Sequence, residues 1–271
     1  MQGRLLPKYK GRYQAHPVNY WVEEFKIAEK LGLDCIEFIL DFDELHLNPL
    51  SNAQGVEEIK KVSDSSGIEV NSICADYFME SPLHSSDTAI SEKSKEVLKA
   101  LLKASNLIGV ENIVIPCVDQ SSLKSKTEKD LFIKSIIDVV PLAEENKINL
   151  SLETDLAPKP FKRLLNDIDA SCVKVNYDIG NSAGLGFNIV EELDQYGHQI
   201  SDIHIKDRLL NGQSVFLGQG NANFELFFDT LLQYKYEGIF IMQAYRDEEG
   251  VEIFKKQLNF IKPFLKEFNV S

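Results

Sequence analysis

The feature that most narrows the fold is an alternation: seven short β-like runs interleaved with segments of helical periodicity. The runs are Cys35–Ile39, Glu69–Ala75, Asn112–Cys117, Asn149–Glu153, Cys172–Asp178, Ser201–Lys206 and Gly238–Gln243. Between them apolar residues return every three or four positions. Trp21, Phe25, Ala28 and Leu31 form one such face, stopped by Gly32. Val97, Leu98, Leu101, Leu102 and Leu107 form a second, and Phe132, Ile136, Ile137, Val140 and Ala143 a third. Phe224, Phe227, Phe228 and Leu231 precede the last run, and Ile253, Phe254, Leu258, Ile261 and Leu265 follow it.

Strand–helix alternation implies right-handed crossovers and a parallel sheet. The 271 residues, 44% of them hydrophobic, match one (β/α)8 barrel, for which about 250 residues is typical. No Gly/Ser/Pro-rich tract interrupts them, so the expectation is a single TIM-barrel domain over 1–271. The eighth strand must then lie at the N-terminus. Only Met1–Leu6 precedes the Trp21 helix in a suitable place, so the first strand is expected to be short, or to begin upstream of Met1. An open doubly wound sheet is the competing architecture. It ranks behind the barrel because the polar residues discussed next end four consecutive strands, and a barrel makes such ends converge.

Side chains alternate faces along a strand. Leu150 and Leu152 oppose Asn149, Ser151 and Glu153; Val173, Val175 and Tyr177 oppose Lys174, Asn176 and Asp178; Ile203 and Ile205 oppose Asp202, His204 and Lys206. The apolar faces suit an outer helix layer, so the polar faces point into the barrel. Polarity there costs free energy unless it is paired or bound. Glu153, Asp178 and His204 sit at the C-terminal strand ends, where barrel enzymes keep their chemistry. Two carboxylates and an imidazole suit one divalent ion (Mn, Zn, Co, Fe or Mg), with Gln243 adding an amide oxygen or holding a water. A salt-linked polar core is the competing reading. Lys174 and Asp202, deeper on adjacent strands, read as an internal ion pair.

A net charge of −13 argues against nucleic acid as a partner. No apolar stretch nears the roughly 20 residues of a membrane span, and nothing favours a membrane surface. Cys35, Cys74, Cys117 and Cys172 form no C-x-x-C pair, which suits a reduced, cytoplasmic protein. Self-association into a homo-oligomer stays open.

Met1-Gln2-Gly3-Arg4-Leu5, Leu152-Glu153-Thr154-Asp155, Asp178-Ile179-Gly180-Asn181, His204-Ile205-Lys206-Asp207-Arg208 and Gly218-Gln219-Gly220, in that order, resemble the xylose-isomerase-like superfamily. The sugar phosphate isomerase/epimerase branch, with hexulose-6-phosphate isomerase and L-ribulose-5-phosphate 3-epimerase-like proteins, is the most similar part of it. The resemblance implies a Glu, an Asp, a His and a second Glu as metal ligands on strands five to eight. Glu153, Asp178 and His204 match the first three, and Gln243 stands where the second Glu would be. Ketose 3-epimerases of that superfamily use the two Glu residues on opposite faces of the substrate. Gln cannot exchange protons in this way. The departure therefore weighs against two-base epimerisation and leaves one-base isomerisation through an enediolate, or an elimination. Relatives also carry a strand just before the Gln-Gly-Arg motif.

Further candidates surround this centre. Lys206 shares the His204 face and is expected to steady a substrate oxyanion, with a rim ion pair to Asp207 as the alternative. Arg208, Arg246 and Arg4 are candidate substrate contacts, as are Asp76 (with Tyr77 beside it) and Asp119 at the mouth. Gly218-Gln219-Gly220 reads as a close-packing turn before an anion site. His16, His46 and His84 are expected to be exposed loop residues and His198 a surface one.

The sequence thus points to a metal-dependent isomerase (or epimerase) of a sugar or sugar phosphate, with Glu153 and Lys206 catalytic. The rivals are a metal-dependent dehydratase of a cyclic polyol or keto acid, and a sugar-binding barrel that has lost its second acid. A DNA-repair endonuclease of the endonuclease IV kind ranks last, since Asn181 stands where that family shows His.

Overall fold

The structure, a computed structural model, describes residues 1–3, 5–246 and 250–268. Seven parallel strands follow one another in chain order around the sheet. They are β1 (Cys35–Ile39), β2 (Glu69–Cys74), β3 (Asn112–Cys117), β4 (Asn149–Thr154), β5 (Val173–Asp178), β6 (Ile200–Ile205) and, after a short ribbon, β9 (Ile239–Met242). The ribbon pairs β7 (Asp207–Arg208) antiparallel with β8 (Ser214–Val215).

The N-terminus closes the sheet. Gln2 N donates to Met242 O at 3.2 Å and Glu37 N to Met1 O at 2.7 Å. Gln2 and Glu37 form a parallel bridge. Met1 and Gln2 thus occupy the eighth position between β9 and β1 as a minimal first strand. The ring of pairings excludes the open-sheet alternative.

Helices form the outer layer. Asn52 caps Ala53–Ser66 through Gly55 N, and Ser125 with Glu128 makes a reciprocal capping box on Lys126–Ile137. Helix faces and outward strand faces interlock: Tyr177 of β5 stacks on Phe227 of the Phe224–Leu231 helix at 5.0 Å. Leu107 and Ile137, expected on apolar faces, are exposed instead. All four cysteines are free. Among the described residues no helix is long and apolar enough to cross a membrane.

Candidate metal centre and cavity

The barrel interior carries the polar column that the alternation demands. Near the base, Ser151 Oγ lies 2.7 Å from Ser201 Oγ, which donates to Asp202 Oδ1 at 3.0 Å. Ser72 Oγ donates to Glu37 Oε2 at 2.7 Å and lies 3.4 Å from Asp202 Oδ2. Asp202 is therefore partnered by serines. The expected pair with Lys174 is not formed, because Lys174 faces Ser151 across β4 and is only half-buried. Burial, together with the Glu37 charge, pushes the Asp202 carboxyl up to about 7.

Above this layer stands His204, fully buried on β6. Its Nε2 lies 2.9 Å from Glu37 Oε1, and neither side chain has any exposure. Neither atom has another partner among the described residues. Burial alone would lower the imidazole pKa. Glu37, with Glu153 and Asp178, outweighs burial and raises it to about 10. Glu37 was not among the residues anticipated from the sequence. A charged residue in the apolar run Cys35-Ile36-Glu37-Phe38-Ile39 was the available signal.

At the C-terminal strand ends, Glu153, Asp178 and His204 each offer a ligand atom, all within 4.8 Å of one another. Register explains the convergence, since Asp178 and His204 are direct Cα partners on β5 and β6. Asp178 caps the Ile179–Leu185 helix through Asn181 N at 2.7 Å and takes Lys206 Nζ on its other oxygen at 3.0 Å. Lys206 therefore pairs with Asp178 and not with Asp207. Its Nζ also donates to Gln243 Oε1 at 2.8 Å. An ammonium group can only donate, which fixes the amide orientation: Gln243 Nε2 turns to Gln2 Oε1 at 2.8 Å and lies 3.5 Å from His204 Nδ1.

Glu153 is held from the opposite side. Asn181 Nδ2 donates to Glu153 Oε1 at 2.6 Å, and Asn181 Oδ1 accepts from Arg208 Nη1 at 2.9 Å. Arg208 Nε and Nη2 in turn grip Gly212 O across the β7–β8 hairpin at 3.1 and 2.9 Å. Burial first, then the charge of Asp178, pushes the Glu153 carboxyl up to about 7. Sequence reasoning missed this role of Asn181, which depends on the hairpin reaching back over the barrel.

The donor set fits a divalent cation. Two carboxylates and an imidazole provide oxygen and nitrogen donors at one point. With Glu37 engaging Nε2, the His204 ring leaves Nδ1, beside Gln243, for the strand-end cluster.

Glu153, alone of the three, reaches the wall of a cavity of about 1130 Å³, with Asp178 and His204 buried behind it. Glu153, Lys206, Arg208, Gln243, Asp76 and Asp119 all line it. Asp76 accepts from Gln14 Nε2 at 3.1 Å, and burial pushes its carboxyl up to about 6. Tyr77, expected beside it at the mouth, is buried against Phe42 and Phe78. Arg246 lies 4.4 Å over the Tyr13 ring and donates to Leu6 O, outside the cavity lining. Arg4 falls outside the described residues. His16 and His84 are buried, contrary to expectation, because His16 packs on Trp21 and Phe38 and His84 on Phe132. His46 and His198 are exposed as expected.

The fold has counterparts among known proteins. The L-ribulose-5-phosphate 3-epimerase UlaE of Salmonella paratyphi A is 24% identical over 241 residues, covering 84% of this chain and 83% of its own. The D-psicose 3-epimerase of Clostridium cellulolyticum H10, solved with D-tagatose, superposes with a TM-score of 0.73 at 18% identity, covering 90% of this chain and 93% of the other. The IOLI protein, solved with a zinc atom, superposes with a TM-score of 0.74 at 17% identity, covering 92% and 94%. The model of the family described as xylose isomerase-like TIM barrel matches residues 25–264. Nearly the whole barrel lies inside that match, and the chain belongs to the xylose isomerase-like TIM barrel family.

Proposed function

We propose that this chain is a divalent-metal-dependent isomerase of a sugar, working through an enediolate with Glu153 as the proton-transfer group. The observation that carries the reading is the approach of Glu153, Asp178 and His204 ligand atoms to within 4.8 Å, with Glu153 lining an open cavity. The UlaE relative, a sugar phosphate epimerase by name, supports the substrate class, and the zinc atom of the IOLI structure supports a metal.

Glu153, Asp178 and His204 would hold the ion, with Gln243 beside them. When bound, the metal polarises the substrate carbonyl and its neighbouring hydroxyl. The remaining work falls to side chains. Asn181 pins Glu153 Oε1, which leaves Oε2 to take a proton from the carbon beside the carbonyl and return it to the former carbonyl carbon, while the hydroxyl proton passes to the former carbonyl oxygen. Lys206 donates to the developing oxyanion. Arg208 acts through Asn181, and Asp76 and Asp119 accept from substrate hydroxyls.

Gln243 removes the second carboxylate that two-base epimerisation needs, and the same shortage suits a single-base elimination. Incubation of metal-loaded protein with sugars, followed by NMR of the products, tests the reading. An aldose–ketose pair supports it. A dehydrated enone transfers the site to a lyase, and no product with any sugar sinks both.

A further inference from the structure

The isomerase reading leaves open whether the substrate carries a phosphate. Resting on that reading, we infer that the cavity selects an unphosphorylated polyhydroxy carbonyl compound and rejects its terminal phosphate ester.

The first observation concerns the loop after β6. In barrels the loops after the seventh and eighth strands often bind phosphate through successive backbone N–H groups. Here those donors have an internal acceptor. Gly218 N and Gly220 N donate to Asp207 Oδ2 at 2.9 and 2.8 Å, and Ala222 N donates to Asp207 Oδ1 at 3.0 Å. Asp207 is fully buried. A Cβ on Gly220 would lie 2.1 Å from its Oδ1, so the carboxylate fills the concavity that a phosphate would need. The loop is thus an anion nest occupied by the protein's own anion.

The second observation is the charge of the lining. Among the described residues seven carboxylates face the cavity against three cations. Asp43, Glu80, Asp119 and Asp155 are four of those carboxylates, none of them a candidate metal ligand. The cations are already engaged. Arg12 pairs with Asp41 at 3.2 Å. Lys206 already donates to Asp178 and Gln243, which leaves one N–H for the reacting oxygen, and Arg208 is locked onto Gly212 and Asn181. A phosphate dianion can only accept hydrogen bonds, and it would enter a cavity rich in acceptors of its own sign. Sugar hydroxyls donate, and carboxylates are their natural partners.

The test compares free C5 and C6 ketoses and aldoses with their terminal phosphate esters, using metal-loaded protein, by kcat/KM. Calorimetry of xylitol and xylitol 5-phosphate runs beside it as a binding measurement independent of chemistry. The expected result is a preference of about a hundredfold or more for the best free sugar over its ester, expressed mainly in KM, since like charges brought together oppose binding. Xylitol is expected to bind more tightly than its phosphate. Equal or better turnover of the esters overturns the inference and leaves the isomerase intact. Turnover of neither class overturns the isomerase reading, and the polyol pair then decides the preference of the cavity: tighter binding of xylitol phosphate, or no binding of xylitol, overturns the inference as well.

Discussion

Glu37 Oε1 and His204 Nε2 meet at 2.9 Å in the middle of the barrel, both side chains completely buried and neither atom shared with another partner among the described residues. The contact fixes the imidazole ring and commits Nε2 to the carboxylate. Such carboxylate–histidine pairs orient metal ligands, and their loss typically costs about 10–100-fold in metal affinity. Glu37→Gln is therefore expected to weaken Mn²⁺ or Zn²⁺ binding by about that factor while the far-ultraviolet circular dichroism stays unchanged. An unaltered Kd in a metal titration would show that Glu37 is only filler.

In the proposed mechanism the Glu153 carboxylate exchanges the proton. Replacing it by Gln keeps the shape and the Asn181 contact but removes the exchangeable proton. Turnover is expected to fall by about a thousandfold or more with the fold retained. Near-normal activity in a steady-state assay would remove Glu153 from the mechanism.

Gln243 invites the reverse experiment. Gln243→Glu places a second carboxylate beside Lys206 and opposite Glu153. Metal affinity is expected to rise, and C3-epimerised product, not expected from the native chain, is expected to appear in the NMR spectrum. A variant with the native product spectrum would mean that the second acid is not what separates isomerisation from epimerisation here.

Stability of the metal-free protein should depend on pH in a definite direction. Burial raises Glu153, Asp202 and Glu24 to about 7, and Glu37 and its neighbours raise His204 to about 10. Each of these groups contributes stability that is complete below its unfolded value and is lost as pH rises through its folded value. Between pH 6.5 and 9 the native state holds protons that the unfolded chain has released, so stability falls with pH. His16, lowered to about 4 by burial, works the other way only below pH 6.5. In a chelator, Tm is therefore expected to fall from pH 6.5 to pH 9. A bound divalent ion displaces those protons, and its stabilisation grows with pH. Added metal should flatten or reverse the fall, and a Tm that rises with pH in the chelator would contradict the scheme.

How far the sequence revealed this site follows from what each residue does. Glu153, Asp178 and His204 were legible because the two-residue period sets each against apolar neighbours on its own strand, and the strand bounds differ from expectation by only a residue or two. Glu37 obeys the same rule on β1, but a lone acid in a five-residue run carries less signal than a repeated polar face. The Lys174–Asp202 pair failed because adjacency on neighbouring strands does not fix which side chains meet, and Ser201 and Ser72 reach Asp202 instead. The Arg208–Asn181–Glu153 chain and the Asp207 nest depend on how the β7–β8 hairpin folds back, which no local pattern encodes. That the N-terminal segment supplies the eighth strand was legible from the strand count. That Met1 and Gln2 suffice to bridge β9 and β1 was not.

The central claim is that Glu153, Asp178 and His204 hold one divalent ion. Calorimetric titration of chelator-treated protein with Mn²⁺, for the native chain and for Asp178→Ala, tests it most directly. One ion per chain with binding lost in the variant is the predicted result; no binding to the native chain, or equal affinity in both, would contradict it.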